Sequence, residues 1–93
     1  MTGNDRTLQW GEHLRDWRKV LNLTARQVAE RAGITVDTLR RLEHGSGGVS
    51  STHLIAVLTA LGLTDQVTEA LDPLSSDLGR ARIDRISRQR VRP

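Results

Sequence analysis

Arg40 and Arg41 stand side by side in the run VDTLRRLEH, residues 36–44, with Val36 four positions before Arg40 and Asp37 four before Arg41. On a helix, residues three and four apart are neighbours, so Val36, Asp37, Arg40, Arg41 and His44 share one face while Leu39 and Leu42 turn inward. A guanidinium presents a rigid fork of N–H donors that fits O6 and N7 of guanine, and fits phosphate equally well. A carboxylate accepts from a cytosine amine, and an apolar side chain meets a thymine methyl. Plainer roles exist for the same residues. Asp37 at a helix start complements the dipole and can simply pair with Arg41, and the arginines can serve as a solvated face.

Other chemistry finds little to work with. His13, His44 and His53 are the only histidines, there is no cysteine, and no close carboxylate pair joins them at metal-ligand spacing. Serine, histidine and aspartate occur only as scattered residues in a core too small to enclose a substrate pocket. No catalytic activity, metal or cofactor is expected. The run Gly45-Ser46-Gly47-Gly48 is not followed by Gly-Lys-Ser/Thr, so it is no nucleotide-binding loop.

The elements that must position the arginines come from a short chain. Ninety-three residues make one small domain. Its apolar set is Leu, Val, Ile and Ala, with Trp10 and Trp17 as the only aromatics. The absence of Phe and Tyr argues against an extensive sheet and for an all-α fold. No leader-like segment and no long apolar run is visible, so a cytoplasmic protein is expected. The net charge of +3 is unevenly spread. Residues 1–76 carry eight basic and nine acidic side chains, whereas residues 77–93 carry six arginines against Asp77 and Asp84. A basic arm implies nucleic acid or an acidic protein surface as partner.

Apolar periodicity predicts five short helices. The first runs from about Leu8 to Leu21, with Trp10, Leu14, Trp17 and Leu21 as its inner stripe. Thr24 caps the second, which buries Val28, Ala29 and Ala32 and ends at Gly33. Thr35 caps the third, to about His44, and Gly45 stops it. Ser50 or Ser51 starts the fourth, with Leu54, Ile55, Leu58 and Leu61 on its apolar face. Thr64 or Asp65 caps the fifth, carrying Val67, Ala70 and Leu71 to near Pro73. The expected organisation is a flexible start over 1–7, a domain over 8–74, and an arginine-rich tail over 75–93. In that tail only Leu78, Ile83, Ile86 and Val91 are candidates for burial, so the arm is expected to order only on a partner.

Gly33, Ile34 and Thr35 alone turn the corner between the second and third helices. So short a turn needs a small residue where the backbones meet, and Ala29 provides it, ringed by Val28, Ala32, Ile34, Leu39 and Leu42. Here the chain resembles the Xre family of lambda-repressor/Cro-like regulators. The run LTARQVAERAGITVDTLRRLEHG carries the likeness, flanked by LRDWRKVLNL and THLIAVLTALGL, and it covers residues 8–71. The resemblance implies a compact five-helix DNA-binding domain whose third helix enters the major groove. Bases would be read from Val36, Asp37 and Arg41, with Arg40 on a base or a phosphate. The glutamine usual at the position of Ala25 is missing, leaving Arg26 or Gln27 to clamp a phosphate. Thr35 and Thr38 join that phosphate set. A second clamp would use the backbone N–H groups of Gly47 and Gly48 with Ser50 and Ser51 at a helix N-terminus, although an ordinary flexible connector has the same composition. Arg18 and Glu43 fall across from each other as a structural ion pair.

The functional expectation is a sequence-specific repressor binding operator DNA as a homodimer, since two related helices roughly double the discrimination of one. The fifth helix, with Leu63 and Leu71, is the expected dimer face. The arm, with Arg80, Arg82, Arg85, Arg88, Arg90 and Arg92 and the ending RQRVRP, looks like that of HipB-type antitoxins, which bind HipA-like kinases and repress their own operon. A restriction-modification controller or a phage-type repressor is the alternative.

Overall fold

A computed structural model describes residues 5–91, with side chains to residue 86. Every regular element among the described residues is a helix, and none is a strand. In order they form α1 (Asp5–Val20), α2 (Ala25–Ala32), α3 (Val36–Glu43), α4 (Ser51–Ala60), α5 (Thr64–Leu71), a 3-10 turn (Pro73–Ser75) and α6 (Asp77–Val91). The described residues hold six α-helices where five were expected.

Local chemistry sets most of the boundaries. Thr24 caps α2 through a capping box: its Oγ1 accepts from the Gln27 N–H at 3.1 Å, while the Gln27 side-chain oxygen accepts from the Thr24 N–H at 2.8 Å. Gly33, at φ 70°, ends that helix, and the Ile34 N–H closes on the Ala29 carbonyl at 3.0 Å. Thr35 and Ser50 cap α3 and α4 through their hydroxyl oxygens, without the reciprocal bond of a capping box. Neither Thr64 nor Asp65 caps α5, contrary to expectation: Thr64 is already the first helical residue, and Leu63 precedes it without a side-chain cap. Thr24→Ala is expected to lower stability by about 1 kcal/mol, measured by chemical denaturation, because the Gln27 N–H loses the hydroxyl that accepts from it.

Seven residues form the core: Leu14, Val28, Ala29, Leu39, Val57, Leu58 and Leu61. They come from α1, α2, α3, α4 and the residue that ends α4, with α2 packed on both α3 and α4 and α1 packed on α3. Two apolar stripes are rotated from their expected positions. On α1 the buried residues are Gly11 and Leu14, and Trp10 and Trp17 stay 52% and 43% exposed, with Leu21 similarly open. On α4, Val57 replaces Ile55, because the buried arc centres between Leu54, Val57, Leu58 and Leu61 and leaves Ile55 at its edge. Leu63, expected on an open face, is half-buried against the core, whereas Leu71 is exposed.

The arm departs most from expectation. Burial alone would leave it unstructured, but its helix is organised by local hydrogen bonds. Asp72 accepts from the Leu74 N–H at 2.9 Å in the 3-10 turn, and the Ser76 Oγ caps α6 by accepting from the Gly79 N–H at 3.0 Å. Arg80 pairs with Asp77 one turn back and donates to the Leu74 carbonyl at 2.8 Å. Gly79 lies directly against the Pro73 carbonyl, where a Cβ would collide. Arginine is also a good helix former. Leu78 remains exposed, and Ile83 is half-buried. The side chains of Arg88, Arg90 and Val91, and the whole of Arg92, lie outside the described residues.

Candidate nucleic-acid interface

The outer face of α3 brings the sequence-selected residues together. Leu39 and Glu43 are buried and Leu42 is half-buried, so Asp37, Arg40, Arg41 and His44 stand exposed on the other side. Val36 is half-buried and packs against the core, leaving only part of its surface for a ligand. Arg41 Nε lies 3.7 Å from Asp37 Oδ2, a loose exposed pair of the i,i+4 kind. In high dielectric such a contact contributes little, and a stronger acceptor can displace it. Among the described residues Arg40 has no ion-pair partner. The face therefore offers two guanidinium forks and one carboxylate on adjacent turns.

A helix of eight residues needs external support to hold that face still. The first support is the ion pair expected from the resemblance. Arg18 Nε donates to Glu43 Oε2 at 2.7 Å and Nη2 to Oε1 at 3.1 Å, a two-point fork. Arg18 Nη1 also donates to the Leu23 carbonyl at 3.2 Å. Glu43 is 5% exposed and Arg18 13%. The hydrogen bond to Glu43 holds the guanidinium pKa above its ordinary value, outweighing the opposing effect of burial. Among the described residues, no buried side-chain nitrogen or oxygen lacks a partner.

The second support is a glycine that periodicity did not single out. At Gly11, α1 crosses the end of α3 so closely that a Cβ would stand 2.5 Å from the carbonyl oxygens of both Leu42 and Glu43. Gly45 makes the reciprocal contact: it is buried at φ 69°, and a Cβ there would meet the Leu8 Cα at 2.6 Å. The available signal was a glycine inside an otherwise good helix, where it costs about 1 kcal/mol against alanine and so marks a close approach.

The predicted phosphate residues fall at three helix starts. Arg26 is exposed in the first turn of α2. Gln27 has its side-chain oxygen committed to the capping box, which leaves its amide N–H groups to donate. The Thr35 hydroxyl accepts from the Thr38 N–H at 3.0 Å and donates to the Thr38 hydroxyl at 2.9 Å, so both threonines are tied into the cap of α3. Before α4, Gly47 and Gly48 take left-handed φ values of 78° and 71°. Ser50 Oγ caps that helix by accepting from the His53 N–H at 3.2 Å, and Ser51 is exposed beside it.

Among the described residues no three His, Cys, Asp or Glu side chains are grouped to hold a metal ion. No described helix is long and apolar enough to cross a membrane.

Two short helices joined by a glycine turn, the second exposing arginines from a face held rigid behind, define a helix-turn-helix DNA-binding module. The chain belongs to the helix-turn-helix domain family, whose model matches residues 9–71. No curated protein and no solved structure matches the chain.

Proposed function

We propose that the protein is a non-catalytic, sequence-specific transcriptional repressor that acts in the cytoplasm as a homodimer. In this reading α3 lies in the major groove, and Arg40 and Arg41 contact base edges with Val36 and Asp37 beside them. Arg26 and Gln27 on one side, and the N-terminal turn of α4 with Gly47, Gly48, Ser50 and Ser51 on the other, hold phosphates. Thr35 and Thr38 sit where the start of α3 would meet the backbone. The observation that carries the reading is the exposed arginine face of α3, braced from behind by Arg18 and Glu43.

The test begins with selection of duplexes from a randomised pool. Arg41→Ala is then expected to weaken binding to the selected site by about 1–3 kcal/mol and to relax preference at one base pair, with the fold intact. Unchanged affinity and unchanged base preference would remove Arg41 from the reading set.

The basic arm favours a second, compatible role as the antitoxin of a HipA-like kinase, with the same domain repressing the shared operon. Its support is the arm ending RQRVRP together with the exposed Arg82 and Arg85 on α6. Copurification with a kinase encoded beside it is the expected result. A restriction-modification gene or phage genes in that position would instead assign the repressor to those systems, with the DNA-reading face unchanged.

A further inference from the structure

We propose that two copies of the chain pair by exchanging C-terminal helices, α6 of each lying over the groove between α1 and α5 of the other. The inference rests on the homodimer of the preceding reading and supplies its interface. The groove has a volume of about 260 Å³ and is lined mainly by Trp10, Leu14, Trp17, Leu58, Leu63 and Val67. Its two tryptophans are the largest side chains of the protein, and both are left half in water.

Further apolar side chains stand exposed in the chain that follows the groove. One turn beyond Val67, Leu71 is 77% exposed; Leu74 follows in the 3-10 turn, and Leu78, 61% exposed, opens α6. Ile86 lies two turns further along the same helix and is also exposed. Large apolar side chains exposed in this number on one chain mark an association surface. The helix α6 packs on the 3-10 turn and leaves Leu78 and Ile86 bare. Groove and arm are thus two uncovered apolar surfaces on one chain, and in a twofold pair each copy covers both surfaces of its partner.

Charge points the same way. The body, residues 1–76, carries a net −1 and residues 77–93 a net +4. Asp16 lines the depression adjoining the groove, with His13, Trp17 and Val20. Among the described residues Asp16, Arg82 and Arg85 are all without ion-pair partners. Arg82 and Arg85, one and two turns beyond Leu78, can also lie over the tryptophan faces, an arrangement that attracts a cation to the ring. A DNA backbone would satisfy the arginines but leave Leu78 and Ile86 in water, and would give the tryptophan groove no occupant.

Trp10 and Trp17 are the only aromatic residues, so tryptophan emission reports the groove directly. In sedimentation equilibrium the full chain is expected to dimerise, with emission shifting to the red as dilution separates the copies. Leu78→Asp changes an exposed residue and should leave the fold intact, as circular dichroism will check. It is expected to raise the dimer dissociation constant about tenfold or more and to move the emission red at fixed concentration. A dimer unchanged by Leu78→Asp, or one whose dissociation leaves the emission unmoved, overturns the exchange while the homodimer stands. Leu78→Asp that weakens only DNA binding or kinase capture overturns it too, and assigns the arm to that partner. A full chain that stays monomeric at every concentration overturns both the exchange and the homodimer, without touching the role of α3.

Discussion

Replacing Arg18 by alanine is expected to lower stability by about 3 kcal/mol, the low end of the range for breaking a buried pair, because Arg18 keeps 13% of its surface exposed. The loss exceeds what removing both partners would cost. Glu43 is 5% exposed, and both its oxygens are spoken for by the same guanidinium. Alanine strands that carboxylate and also releases the Leu23 carbonyl. For a domain of this size, about 3 kcal/mol corresponds to a fall of roughly 12 °C or more in Tm. Arg18→Lys should recover only part of it, since an ammonium cannot reproduce the two-point fork. A melt superimposable on that of the unaltered protein, combined with lost DNA binding, would make Arg18 a phosphate contact instead.

The second large effect is expected at Gly11. In an exposed helix, Gly→Ala raises stability by up to about 1 kcal/mol. Here the added methyl meets two backbone carbonyl oxygens at 2.5 Å, and backbone, unlike a side chain, cannot rotate aside. Overpacking costs about 1–3 kcal/mol, so Gly11→Ala should be net destabilising. Because the atoms displaced belong to Leu42 and Glu43, the strain also moves the end of α3 relative to α1. DNA affinity is therefore expected to fall about tenfold beyond what the lost stability explains, since small misplacements of a positioning element are felt at the site. A variant that melts higher and binds DNA as before would show that α1 and α3 do not approach as described.

The α2–turn–α3 unit was legible because every signal in it is local. Caps at Thr24 and Thr35, the left-handed Gly33 and the small Ala29 all act within a few residues of where they stand. The outward set on α3 followed from the same periodicity. The Arg18–Glu43 pair lies 25 positions apart and came only through resemblance. What stayed hidden depends on how helices cross. The α1 periodicity placed Trp10 and Trp17 in the core, but that helix meets the body chiefly at Gly11 and Leu14, and the tryptophans flank the contact. Ile55 and Val57 on α4 exchanged roles for the same reason: an apolar stripe wider than its contact does not say which edge is covered. The arm was judged by the surface it can bury, whereas capping by Ser76 and the Arg80–Asp77 pair organise its helix without burial.

The central claim is that the outward face of α3 meets DNA. Titrating the isotope-labelled full chain with a duplex selected from a randomised pool, and following backbone amide and arginine side-chain resonances, tests it most directly. The expected result is that the largest changes fall on Thr35 to Arg41 and on the Arg40 and Arg41 guanidinium signals, with smaller ones at the starts of α2 and α4. Changes confined to α6 or to the tryptophan groove, with the α3 resonances unmoved, would contradict it.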